Sequence, residues 1–292
     1  MDIQQNVSLS EWTSWKVGGP ARFFCQPSHL EEFQQAFEWA QSQNLQKYFL
    51  GEGSNVLVSD HGVNGLVVQL GNFKKIESHL EDERLKVVCE AGAPKFEAMR
   101  VFLKHRLAPA LFLSGLPGNI AGGVYMNAGV SEHRIPREFC EIVDWIEVLR
   151  PTGDVERVES KSIQWSYRKS LGWQPGMIYR VGLSWENKPM DDMPKLVREA
   201  NKMRLSKQPL TQPSCGSVFR NPEGDSSGRL IESCGLKGYT VGGAQVSEKH
   251  ANFIVNKGHA TAKDIESIIG YVKKTVKEQT GFELHEEVIR MG

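Results

Sequence analysis

Residues 113–129, LSGLPGNIAGGVYMNAG, constrain the fold of this chain more than any other stretch. Gly115, Gly118, Gly122, Gly123 and Gly129, with Pro117, Asn119 and Asn127, leave backbone N–H groups with almost no side chain over them. Glycine adopts positive φ without steric penalty, and successive uncovered amides form a concavity suited to phosphate oxygens. A turn-rich connection between two strands would use the same residues, and one such cluster divides evenly between the two readings. A second cluster, LGEGSNVL at 50–57, follows the apolar run Tyr48–Leu50. Two Gly/Asn-rich loops after apolar runs point to one extended, phosphate-bearing ligand lying across both. The dinucleotide pattern G-x-G-x-x-G is not met, because Gly51 and Gly53 are followed by Val56, so a Rossmann reading is disfavoured.

A chain of 292 residues is long enough for about two domains. Its 35 basic and 35 acidic residues balance, which argues against a nucleic-acid-coating protein but not against a small anionic ligand. The opening MDIQQNVSLSEW has neither a basic nor an apolar leader segment, and no apolar run approaches the roughly 18 residues of a membrane span. A soluble, cytoplasmic protein is expected. Cys25, Cys89, Cys140, Cys215 and Cys234 are odd in number and contain no CxxC pair, which argues against a disulfide framework and a metal site. They read as small buried hydrophobes, and Cys215, lacking a Cys/His pairing motif, as packing.

The periodicity predicts a turn at Gly18–Pro20 before a short strand, then a helix from Ser28 with Glu31 as its capping box and Leu30, Phe33, Phe37 and Ala40 as its apolar stripe. Strands are predicted at 48–50, 66–70, 85–89, 142–149, 177–185 and 250–256, and helices at 94–106, 191–207 and from Asp264, capped by Thr261 and ended by Gly281. The shift to charged composition after Asn187 sets divisions at 1–70, 71–188 and 189–292.

The segments SWKVGGPARFF (14–24), GEGSNVL (51–57), GLPGNIAGGVYMNAG (115–129), SYR (166–168), CGSVFRNP (215–222), GGAQVSEKHANFIVN (242–256) and HEEVIRMG (285–292) resemble the UDP-N-acetylenolpyruvoylglucosamine reductase (MurB) family. The match runs nearly end to end and in order. The resemblance implies an α+β fold: a two-part FAD-binding domain of the PCMH, or vanillyl-alcohol oxidase-like, type, then a C-terminal α+β substrate domain whose final residues return to the active site. It implies noncovalent FAD, NADPH as co-substrate, and conversion of UDP-N-acetylglucosamine enolpyruvate to UDP-N-acetylmuramate in peptidoglycan precursor synthesis. A monomer without nucleic-acid or membrane partners is expected.

Hydride addition to an enol ether bearing a carboxylate drives negative charge into that carboxylate, so the site needs a cation there and a proton donor facing the α-carbon. By resemblance Arg168 is the cation, Glu287 its partner and Ser217 the proton donor. Spacing does not choose between Glu286 and Glu287; the family's Glu-Val pairing does. The resemblance places FAD on Gly51, Gly53, Ser54, Asn55, Val56, Leu57, Gly115, Pro117, Gly118, Asn119, Ile120, Gly122, Gly123, Asn127, Ala128, Gly129 and Ile178. It places the nucleotide sugar on Tyr167, Lys207, Arg220, Asn221, Gln245, His250 and Asn252, with His250 a structural hydrogen-bonder rather than an acid. Only about ten residues separate Arg168 from the strand at Ile178, which resembles the shorter class lacking a tyrosine-bearing insertion. Asn119-Ile120-Ala121 stands where the family more often has a small hydroxyl residue and then a glycine.

Overall fold

The computed structural model describes residues 1–130 and 135–292. The chain separates into two interleaved units. The first comprises 1–2, 25–51 and 68–204; the second, 3–24, 52–67 and 205–292. The divisions expected from composition run consecutively, whereas here the N-terminal segment belongs with the last third. Trp15 gives the physical reason. Its side chain is wholly buried, so its indole N–H must find an acceptor inside, which is the Ile254 carbonyl at 2.7 Å. Asn256 returns a hydrogen bond to the Trp15 carbonyl at 2.9 Å.

In the first unit a five-stranded antiparallel sheet runs in the order Ile76–Glu81, Arg84–Glu90, Met177–Glu186, Val143–Leu149, Val155–Glu159. The two end strands were not foreseen, since their residues are mostly exposed and carry little apolar alternation. Helix Leu30–Ser42 buries Phe33, Ala36, Phe37 and Ala40, and Phe33 sits within ring-contact distance of Phe37, Phe49 and Phe73. The helix starts later than predicted. His29 is its N-cap, while Ser28 donates its N–H and hydroxyl to the Glu32 carboxylate at 2.8 Å, so the expected Ser28–Glu31 box is replaced by contacts one residue on.

The second unit packs Trp15, Val17 and Leu57 with Val218, Phe219, Leu230, Ile231 and the apolar face of helix Ala262–Thr280. That helix is capped as its sequence predicts: Thr261 and Asp264 form a reciprocal capping box, and Gly281 ends it at φ +77°. Asp60 adds what the sequence does not announce, accepting the N–H groups of Ala262 and Lys263 at 2.8 and 2.9 Å. Its carboxylate thus satisfies amides that no helical carbonyl can reach, at the positive end of the helix. The apolar run 250–256 forms strand only at Ile254–Asn256, because His250 and Asn252 are committed to a turn. Strand Ile289–Met291 pairs in parallel with Val56–Val58 and brings the last residues to the end of the GEGSN loop.

Candidate active site

In the first unit the glycine-rich stretch is not a loop throughout. Pro117-Gly118 makes the turn, with Gly118 at φ +85°, and Ile120–Tyr125 is a short helix with Asn119 at its N-cap. The uncovered surface is correspondingly narrower than the sequence suggests. The N–H groups of Gly115, Leu116, Ile120, Ala121, Gly123, Met126, Asn127 and Ala128 donate to protein carbonyls. Gly122, by contrast, is exposed, and a Cβ built on it would meet no atom within 4 Å. Gly123 faces inward, where a Cβ would lie 2.5 Å from the Phe139 ring and 2.6 Å from Lys95 Cε. Ala121 sits inside the helix, the conformation alanine favours most. Ile120 and Ile178 are buried in the core.

The two glycine clusters do converge at one point in this unit. A Cβ on Gly51 would fall 2.3 Å from the Asn119 side-chain oxygen, so only glycine permits that approach. Asn119 is held in turn by its amide donating to the Gly92 carbonyl at 2.6 Å. Gly122 is the open position of this stretch and leaves room for close approach of a ligand to its backbone. Lys95, which sequence reasoning gave no part in the site, is buried beneath this turn and donates its ammonium to the Pro117 carbonyl at 2.6 Å. Nothing in the sequence separates it from an ordinary first-turn helix lysine. Tyr167 and Arg168 form the tip of a hairpin closed by the Ser166–Lys169 pair. Arg168 has φ +58°, and its guanidinium lies 4.7 Å from the Tyr167 ring centroid and donates to the Gly129 carbonyl at 3.1 Å.

In the second unit the GEGSN loop, the 215–222 segment and the C-terminal residues come together. Asn55 donates to the Glu287 carbonyl at 3.0 Å and accepts through its own carbonyl from Ile289 N–H. Glu287 N–H donates to the Val218 carbonyl at 2.8 Å, which fixes the Glu287 backbone beside the segment bearing Ser217. Asn252 is buried, and its amide both accepts from and donates to the Phe219 backbone, at 2.9 and 2.8 Å. It therefore shapes the segment leading into Arg220. Arg220 Nε is buried without a hydrogen-bond partner, and an orphaned guanidinium N–H of this kind fits an anionic ligand oxygen. Asn221 accepts from Ser227 N–H, Gln245 donates to Thr240, and Lys207 is exposed.

Burial and the Glu287 carboxylate push the Cys215 thiol well above its ordinary range, so it is no thiolate nucleophile. Cys25, Cys89 and Cys215 are buried as expected, whereas Cys140 and Cys234 are partly exposed, because the turns that carry them lie at the surface. Burial, with help from Lys237, lowers the His250 pKa, and Asn252 N–H donates to its Nδ1 at 3.3 Å, which fits a neutral ring. The unfolded chain then binds more protons than the folded one between the lowered value and the ordinary 6.5. His250 stabilisation is complete above that interval and disappears as pH falls through it. The melting-temperature advantage of the native protein over His250→Gln should therefore shrink on acidification from neutral pH, and a gap that widens would contradict the assignment.

A groove of about 740 Å³ lined by His79, Lys86, Asp144, Trp145, Arg157 and Gly182 contains none of the expected site residues. Among the described residues no group of three or more His, Cys, Asp or Glu could hold a metal ion, and no helix is long and apolar enough to cross a membrane.

Comparison with known proteins places these observations. Residues 21–159 match an FAD-binding domain, and residues 208–291 match the C-terminal domain of UDP-N-acetylenolpyruvoylglucosamine reductase. The chain is 36% identical to the reductase of that name from Caldanaerobacter subterraneus subsp. tengcongensis, over 98% of this chain and 93% of the relative. It is 37% identical to the one from Lactiplantibacillus plantarum, over 100% and 94%. The crystal structure of the MurB reductase from Thermus caldophilus superposes with a TM-score of 0.82 at 30% identity, covering both chains completely. The expected α+β fold, an FAD-binding domain followed by a C-terminal domain of this reductase, is the one found.

Proposed function

Since the chain belongs to the UDP-N-acetylenolpyruvoylglucosamine reductase family, we propose that it uses NADPH to reduce UDP-N-acetylglucosamine enolpyruvate to UDP-N-acetylmuramate, as a cytoplasmic monomer serving peptidoglycan precursor synthesis. The observation that carries this reading is the exposed Gly122, where a built Cβ meets no atom within 4 Å, inside the segment that matches an FAD-binding domain. Bound noncovalently there, FAD supplies the means of taking hydride from NADPH and delivering it to the enolpyruvyl β-carbon.

The chain's own residues do the rest. Arg168 offers a planar fork of N–H donors to the substrate carboxylate, where negative charge accumulates as the β-carbon is reduced. Ser217 gives its hydroxyl proton to the α-carbon of the resulting enolate. A serine hydroxyl is a weak acid, so this step relies on the strong basicity of that carbon. Glu287, held at both its N–H and its carbonyl next to the Ser217–Val218 segment, supplies the carboxylate of the site. Arg220 Nε, buried and in need of an acceptor, takes a diphosphate oxygen, with Lys207 adding positive charge and Asn221, Gln245 and Tyr167 contacting the nucleotide sugar.

The purified protein should be yellow, bleach when NADPH is added without oxygen, and recover colour when the enolpyruvyl nucleotide follows. Colour retained on the polypeptide after acid precipitation would instead mark a covalent flavin oxidase. Bleached flavin that recovers with oxygen but not with the nucleotide would remove the substrate from the reading.

A further inference from the structure

Two residues other than glycine hold left-handed backbone conformations on either side of the first unit's candidate site: Asn127 at φ +38° and Arg168 at φ +58°. Such conformations are disfavoured for residues with a Cβ and persist where the surroundings fix them. Here each residue fixes the other. The Asn127 side chain donates to the Ser166 carbonyl at 3.2 Å, two residues before Arg168. The Arg168 guanidinium donates to the Gly129 carbonyl at 3.1 Å, two residues after Asn127. The two hydrogen bonds form a reciprocal clasp between segments 39 residues apart in sequence.

The Asn127 amide has nothing left over for a ligand. It is fully buried; its second N–H donates to Glu138 Oε2 at 2.9 Å, and its oxygen accepts from Cys140 N–H at 3.0 Å. Both donors and the carbonyl are thus spent inside the protein, and they join three segments: the end of the glycine stretch, the 138–140 turn and the hairpin bearing Arg168. Glu138 is itself fixed by a capping box with Glu141 and by its bridge pairing with Gly129. The hairpin consists of two three-residue strands, and its base is anchored by Ser170 donating to the Tyr125 carbonyl at 3.1 Å.

We propose that Asn127, backed by Glu138, is a positioning residue that sets the Arg168 guanidinium for the substrate carboxylate, rather than a side-chain contact to the cofactor. This rests on the function proposed above for Arg168. An arginine on a short hairpin samples many orientations, and displacing a substrate-gripping group by about 1 Å can lower a rate about 100-fold. A clasp that holds the Ser166 carbonyl before the tip and the Arg168 guanidinium itself removes that freedom before substrate arrives.

Asn127→Asp is the nearest isostere; it keeps the acceptor for Cys140 N–H and loses both donors. Asn127→Gly keeps the left-handed backbone and loses all three side-chain hydrogen bonds of Asn127. For each variant, flavin content, bleaching by NADPH and reoxidation by the enolpyruvyl nucleotide should be followed separately, together with amide hydrogen exchange at 166–169. The inference expects bound flavin and NADPH bleaching within about twofold of the native protein, reoxidation slowed 10- to 100-fold, and exchange at the hairpin tip raised at least 10-fold. Combined with Arg168→Ala, the slowing should not multiply, because the second change removes the group that the first misplaces. Unaltered exchange at the tip, loss of flavin as the main effect, or fully multiplicative slowing would each overturn it. The exchange measurement needs no substrate, so a native protein that never turns over would sink the functional reading while the clasp itself is still judged.

Discussion

Gly122→Val is expected to give a folded, colourless protein. A Cβ at this position points into open space, with no protein atom within 4 Å, so the folded chain accommodates a larger side chain there. Valine also sits in a helix somewhat better than glycine, which is about 1 kcal/mol less favourable than alanine in a helix interior. The melting temperature of the apoprotein should accordingly hold steady or rise. The same branched side chain fills the space that the proposed function gives to FAD, and FAD affinity should fall at least about 100-fold, or about 2.8 kcal/mol. Gly123→Ala, one residue on, should do the reverse: its methyl would run into Phe139 and Lys95, overpacking of a kind that costs about 1–3 kcal/mol in stability. Visible absorbance and thermal unfolding on both variants separate ligand space from packing space. A Gly122→Val protein that purifies with its full flavin band would show that the cofactor lies elsewhere.

That contrast also marks where the sequence was legible. The glycine clusters announced close approach, and Gly51 against Asn119 is such an approach, but glycine looks the same whether it makes room for a ligand or for a neighbouring ring. Which of Gly122 and Gly123 faces outward depends on the phase of a six-residue helix, and a segment that short carries too little apolar periodicity to set a phase. Helix Ala262–Thr280 was readable at both ends because its caps are local in sequence. The interleaving of the units was not, since it depends on Trp15 finding the Ile254 carbonyl 239 residues away. Asp60 at the start of that helix and Lys95 beneath the Pro117 turn were missed for the same reason: each acts on backbone distant in sequence. The catalytic assignments came from resemblance, and local chemistry alone gave no reason to prefer Ser217 over other serines that follow glycine.

Ser217→Ala carries the other large expected effect. The segment around Ser217 does not depend on the serine hydroxyl for its shape: Val218 N–H donates to the Asn252 carbonyl, Phe219 is clamped by the Asn252 amide, and Glu287 N–H closes on the Val218 carbonyl. Gly216, at φ +82° with open space around it, already supplies the turn. Removing one oxygen should thus leave stability, flavin content and bleaching by NADPH near their native values. Reduction of the enolpyruvyl group is different, because the α-carbon must gain a proton as the β-carbon gains hydride, and a positioned proton donor contributes about 10²–10⁴-fold to such a step. Reoxidation of the bleached flavin by the nucleotide should slow by that factor, whereas reoxidation by oxygen, which protonates no carbon, should not. The neighbouring thiol of Cys215 is not placed to take over, since it is buried within the second unit's core. Single-turnover absorbance measurements with each oxidant separate these outcomes. Equal slowing with both would mean that Ser217 shapes the flavin's surroundings, and an unchanged rate with the nucleotide would assign the proton to another group.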